Sequence, residues 1–224
     1  MSHWITMVTA YGPMNGWSAE PDDRPLGGVV LVHEIFGVNA DMRQIAERYA
    51  EDGYLTEVPA LFDKLQREVE LDYGAADYQL GGSLASQIGL ETAAELVRAA
   101  AGAIAHAGKT AVIGYGWGGA VGLRAAQDLK SPVVNYYAPW ELFWLTERSE
   151  MPALFHLGET DPRLSAANFT RLREMLPNME KFLYPAGDAF DRISDPLQFH
   201  AQSAELAFER TRNFLRKHIR SADF

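Results

Sequence analysis

Short apolar runs alternate along this chain with longer stretches whose apolar residues recur at helical spacing, and that alternation restricts the fold more than any other feature. Residues 27–33 (GGVVLVH) form a continuous apolar run of the kind buried on both faces of a sheet. Within 40–52, Met42, Ile45, Ala46, Tyr49 and Ala50 share one helical face, and Gly53 stands where a helix end favours positive φ. A strand resumes at 54–58. The unit then recurs in kind. A helix over 90–107 has Leu90, Ala94, Val97, Ala101 and Ile104 on one face, a strand follows at 110–115 and a helix at 117–129. Strands at 132–136 and 152–158, a helix at 165–176 opened by the capping Ser165, and a strand at 181–184 continue the series. A final amphipathic helix, 203–218, turns Leu206, Ala207, Phe214 and Leu215 inward and carries Arg216, Lys217 and His218 at its electronegative end. Ahead of these units, 4–10 and 16–19 suggest two short strands, with Gly12, Pro13, Asn15 and Gly16 as turn residues. The pattern predicts an α/β fold: a doubly wound, mostly parallel sheet with helices on both faces.

At 224 residues and 47% hydrophobic content the chain can bury one sizeable core, so a single domain over 1–224 is expected. Within it, residues 62–89 contain Gly74, Gly81 and Gly82 and have weak periodicity, which reads as a cap or mobile segment. A formal net charge of −10 argues against nucleic acid or an anionic membrane as partner, since both need clustered Lys and Arg. The first ten residues, MSHWITMVTA, lack the basic start and apolar run of a secretory signal, and no stretch nears the roughly 20 apolar residues of a membrane span. A cytoplasmic location is the expectation. With 0 cysteines, disulfides, thiolate metal sites and a cysteine nucleophile are excluded.

In sheets of this class ligands bind beyond the carboxyl ends of the strands. One junction there reads Ile113-Gly114-Tyr115-Gly116-Trp117-Gly118-Gly119, a strand entering a tight turn that opens a helix. That is the setting of a nucleophile elbow, in which a strained central residue projects its side chain over the sheet. The central residue here is Gly116, which adopts such a conformation without strain and offers no nucleophilic atom.

His33-Glu34-Ile35-Phe36-Gly37-Val38-Asn39 after the first buried strand resembles the signature of the dienelactone hydrolase family, within the α/β-hydrolase fold. Also similar to the family are Gly53-Tyr54 with Val58-Pro59-Ala60-Leu61-Phe62, the Gly114–Gly119 elbow, PALFHLGETD at 152–161 and YPAGDAFDR at 184–192. The family's triad of cysteine, aspartate and histidine falls on Gly116, Asp161 and Asp188, so only the acid is kept. The resemblance further implies an oxyanion hole from the backbone N–H groups of Ile35 and Trp117, a glutamate beside the nucleophile at Glu34, and a substrate-carboxylate arginine at Arg192. A second substrate arginine, expected in 62–89, has no clear match; Arg67 is the only arginine there. An aspartate in the histidine's place is a weak base at neutral pH, with an ordinary pKa of about 3.9, and would lie near a second carboxylate.

Other readings compete with this one. Gly81-Gly82-Ser83-Leu84-Ala85 contains a G-x-S-x-A string, but no strand precedes it, which weighs against Ser83 as nucleophile. His33 and His156 fit packing or a local hydrogen bond, and His200 fits a surface position ahead of a helix. Gly114-x-Gly116-x-x-Gly119 also fits a dinucleotide fingerprint, although several strands precede it and Glu141 meets the expected acidic position poorly. Glu34, Asp161 and Asp188 together could make an oxygen-rich metal site or an acid/base pair, against the plainer reading that Asp188 is solvated or pairs with Arg192. The aromatic residues Tyr136, Tyr137, Trp140, Phe143 and Trp144 read as pocket wall, core or partner surface. The favoured expectation is a family member with hydrolysis lost or strongly impaired, no metal and no cofactor, whose pocket binds a small anionic or carbonyl-bearing ligand such as a carboxylate. The alternative is an active ester or lactone hydrolase working through Glu34, Asp161, Asp188 or His200.

Overall fold

The computed structural model describes residues 1–137, 145 and 147–220. Among them, 8 strands form one sheet in the order β1-β2-β4-β3-β5-β6-β7-β8. β1 (Ser2–Thr9) pairs antiparallel with β2 (Gly12–Ala19), and β2 pairs antiparallel with β4 (Tyr54–Pro59). From β4 onward the sheet is parallel, through β3 (Gly27–Val32), β5 (Thr110–Tyr115), β6 (Val133–Tyr136), β7 (Ala153–Gly158) and β8 (Met179–Tyr184).

Side-chain alternation along the central strands divides the core into two layers. In β3, Val30 and Val32 join one apolar cluster with α2 (Ala75–Ile88), α3 (Leu90–Ala103) and α4 (Trp117–Leu129), and Leu172 of α5 (Ala166–Met175) joins the same cluster. Val29 and Leu31 face the opposite way, against α1 (Ala40–Glu51) and α6 (Ala201–His218). Helices therefore cover both faces, as the alternation of patterns predicts. The five apolar residues expected on the α1 face are all buried, and the Ser165 hydroxyl caps α5 by accepting from the Asn168 N–H at 3.1 Å.

Three expectations need correction. Gly12, Pro13, Asn15 and Gly16 lie inside β2, and the turn falls at Ala10 and Tyr11. Proline is tolerated there because β2 meets β4 only along Gly16–Ala19, so its first half has β1 as its sole strand neighbour. Leu206 is 38% exposed, and Phe208 takes the inward place expected of it. Residues 62–89 are largely structured: a short 3-10 turn spans Leu61–Lys64 and helix α2 spans Ala75–Ile88. Gly81 marks a close approach: a Cβ there would sit 2.1 Å from the Ile35 carbonyl oxygen, so the glycine lets α2 lie directly on that backbone.

Candidate active site

The strand order doubles back at β3, which has β4 on one side and β5 on the other. The carboxyl ends of β3 and β5 thus lie together at a topological switch point, the place where a crevice opens in sheets of this kind. A cavity of about 600 Å³ opens there, lined by Glu34, Ile35, Gly116, Trp117, Arg163, Asp188 and Arg192, with Tyr78, Gly82, Ala85 and Ser86 of α2 above and Gly89 and Leu90 beside them. A larger groove of about 880 Å³ beside α3 and α4 contains none of the site residues named from the sequence.

Gly116 has φ 49° and ψ −117° and is the N-cap of α4. A Cβ at this position would point at Glu34, 2.9 Å from its Oε2, so the empty side-chain position of the elbow adjoins a carboxylate. Trp117 opens the helix, and its N–H belongs to the first turn, where donors have no acceptor within the helix. The Glu34–Ile35 backbone beside it is tied down by His33. The His33 Nδ1 contacts the Glu34 carbonyl oxygen at 2.5 Å, and the Leu61 N–H donates to its Nε2 at 3.2 Å. One ring nitrogen donates and the other accepts, so the imidazole is neutral, and full burial pushes its pKa down to about 4.

Two ion-pair groups line the cavity. Arg192 grips Glu34 through both carboxylate oxygens, Nε donating to Oε1 at 2.8 Å and Nη2 to Oε2. The rings of Phe36 and Tyr73 lie 5.1 and 5.0 Å from its guanidinium carbon, and Asp195 is 3.8 Å from Nη1. Burial lowers the Arg192 pKa, but the Glu34 carboxylate more than offsets this and holds it above the ordinary value. The second group centres on Arg163. Its Nε and Nη2 donate to Asp161 Oδ1 and Oδ2 at 2.9 and 3.0 Å, and Nη2 also meets Asp188 Oδ1 at 2.5 Å. That last contact is ionic without hydrogen-bond alignment, since Asp188 Oδ1 has no hydrogen-bond partner. Burial raises the Asp188 pKa, and Arg163 pulls against that shift.

Asp161 and Asp188 are brought near each other because the loops after β7 and β8 are joined: the Thr160 N–H donates to the Ala186 carbonyl oxygen at 3.2 Å. The expected repulsion between them is relieved by a guanidinium placed between the two carboxylates. Asp188 therefore pairs with Arg163, and the expected Asp188–Arg192 pair gives way to Arg192–Glu34. Arg163 was missed in the sequence, although it stands two residues after the expected acid. Among the described residues no three metal-binding side chains gather in one group; each of these carboxylates turns to an arginine.

The remaining candidates lie elsewhere. Ser83 is exposed on α2 and accepts from Gln87. Arg67 is exposed and does not line the cavity. His200 contacts Ser203 Oγ at 2.7 Å at the start of α6. His156 is buried between Tyr184 Oη and Thr211 Oγ1, at 2.7 and 2.9 Å. Tyr136 and Tyr137 are core residues, Tyr136 stacking on Tyr115 with centroids 4.4 Å apart. Glu141, Trp140, Phe143 and Trp144 lie outside the described residues.

A doubly wound sheet with a nucleophile-type turn at its switch point defines an α/β-hydrolase fold. The chain belongs to the dienelactone hydrolase family, whose model matches residues 14–219. It is similar to a carboxymethylenebutenolidase from Pseudomonas putida, 30% identical over 207 residues covering 87% of each chain. Among solved structures it resembles a Klebsiella pneumoniae protein named for dienelactone hydrolase, with a TM-score of 0.80, 20% identity and coverage of 97% of this chain and 99% of that one. A dienelactone hydrolase-like promiscuous phosphotriesterase from metagenomic libraries also superposes, with a TM-score of 0.74, 17% identity and coverage of 97% and 98%. No helix among the described residues is long and apolar enough to cross a membrane.

Proposed function

We propose that this protein is a binding-competent, hydrolysis-impaired member of the dienelactone hydrolase family, which holds a small carbonyl-bearing ligand in the cavity at the β3–β5 switch point. The observation that carries this reading is the absence of any side chain at Gly116, combined with the Arg163 clamp on Asp161 and on Asp188, which stands where the family's histidine is expected. Losing a nucleophile costs about 10⁶-fold in turnover, roughly 8 kcal/mol of barrier, whereas oxyanion stabilisation and binding alone keep about 10³ to 10⁴ over water. A carboxylate base would need a free oxygen near the ligand. Glu34 is bound through both oxygens by Arg192, Asp161 is bound through both by Arg163, and Asp188 meets that same cation. Ile35 and Trp117 both line the cavity and Trp117 is the first residue of α4, which supports a role for their backbone N–H groups as donors to a carbonyl oxygen, aided by the positive end of α4.

The test compares the native chain with Gly116→Cys, Gly116→Cys/Asp188→His, and that double variant with Arg163→Ala added, on an activated ester and a dienelactone. The native chain is expected at background. The double variant is expected to gain little, because Asp161 remains clamped by Arg163 and cannot orient the new imidazole. Removing Arg163 is expected to give the largest gain. Native turnover equal to that of the triple variant would overturn the proposal.

A further inference from the structure

The two arginines that line the cavity differ in what they leave for a ligand. Arg192 has a side chain 13% exposed, gives Nε and Nη2 to Glu34, faces Asp195 with Nη1, and lies against the rings of Phe36 and Tyr73. A ligand carboxylate could use it only by displacing Glu34, whose own side chain is 9% exposed. Arg163 has a side chain 40% exposed and binds its two aspartates through Nε and Nη2 alone. Its Nη1 enters neither contact and no other hydrogen bond among the described residues, and Arg163 is the more exposed of the two guanidiniums that line the cavity.

Charge decides which oxygen those donors accept. Glu34, Asp161, Asp188 and Asp195 stand against Arg163 and Arg192, four carboxylates to two cations, which leaves an excess of negative charge around the cavity. A ligand carboxylate approaching Arg163 would also meet Asp188 and Glu34 and would give up its hydration to do so. A neutral carbonyl oxygen needs only the N–H donor and brings no like charge. Ile35, Ala85, Leu90 and Trp117 supply apolar wall for the carbon skeleton beyond it.

We propose that Arg163 is the ligand-anchoring cation of this cavity and that the carboxylates around it select neutral carbonyl compounds, such as esters, lactones and amides, over free carboxylates. The inference rests on the reading that the cavity binds a small carbonyl-bearing ligand, and it moves the recognition role expected of Arg192 to a residue two positions beyond Asp161.

Three compounds with one skeleton test it: phenylacetamide, methyl phenylacetate and phenylacetate, titrated into the native chain, Arg163→Gln, Asp188→Asn and the paired Arg163→Gln/Asp188→Asn variant, with binding read by NMR shifts. The amide and ester are expected to bind the native chain at least about 10-fold tighter than the acid, and to lose about 10-fold with Arg163→Gln. Asp188→Asn is expected to narrow the gap by improving phenylacetate. Should Arg163→Gln fail to fold with two carboxylates unscreened, the paired variant removes one charge of each sign, and the same loss of amide binding is expected from it. Tighter binding of phenylacetate than of the amide, or amide binding indifferent to both Arg163 variants, would overturn this inference and leave the cavity reading standing. No binding by any of the three would overturn both.

Discussion

At position 116 the backbone holds φ 49°, in the region that favours glycine, and a Cβ would press on a Glu34 carboxylate that Arg192 keeps in place. Gly116→Ala is therefore expected to cost about 1–2 kcal/mol from backbone conformation alone, measured by urea unfolding. A loss of stability near zero would mean that the turn relaxes freely. The neighbouring ion group makes a second residue-scale expectation. Asp161 is buried with its side chain 1% exposed, and Arg163 supplies both of its side-chain partners. Arg163→Ala leaves that carboxylate without them and is expected to cost about 1–3 kcal/mol, less than for a wholly buried pair because the arginine is part-exposed. Restoring stability with Arg163→Ala/Asp188→Ala would show that carboxylate repulsion is the main cost.

At the scale of elements, helix α2 and the loop after β3 act as one unit, because Gly81 lets the helix touch the Ile35 backbone. Gly81→Ala would place a Cβ 2.1 Å from a carbonyl oxygen and is expected to cost about 3 kcal/mol or more, visible as a fall in Tm. This element also shows where sequence reasoning reaches its limit. The central strands and α1, α3, α4 and α6 were legible because their apolar residues repeat with the period of the structure they form. α2 was not, since Gly81 and Gly82 look like loop signals when the surface they pack on is unknown. The elbow, Glu34, Asp161, Asp188 and Arg192 were legible from motifs that each follow a strand. Which carboxylate pairs with which arginine was not, because those partners stand 158 residues apart for Glu34 and Arg192 and 188 − 163 = 25 apart for Arg163 and Asp188, or are joined by a two-residue step whose rotamer spacing does not reveal.

The whole molecule carries buried titratable groups that oppose one another in their pH dependence. Burial lowers His33 to about 4 and His156 to about 3, so between those values and 6.5 the unfolded chain binds more protons, and stability falls as pH drops through that window. Glu57 in β4 is buried with neither carboxylate oxygen hydrogen-bonded, and burial raises it to about 7 from 4.5. Here the folded chain binds more protons between 4.5 and 7, so this group's contribution is lost as pH rises. Glu57→Gln is accordingly expected to gain stability relative to the native chain between pH 4 and pH 8, by up to about 3 kcal/mol, in urea unfolding at the two values. A gap that does not change with pH would show that Glu57 titrates normally in the folded chain.

The central claim concerns chemistry at Gly116, and its most direct measurement is ester turnover by the native chain beside Gly116→Ala, Glu34→Gln and Asp188→Asn, each confirmed folded. The account expects all four at the same background rate. Native turnover well above background that survives Gly116→Ala and disappears with Glu34→Gln or Asp188→Asn would contradict it, because a carboxylate would then be performing the hydrolysis that the elbow no longer can.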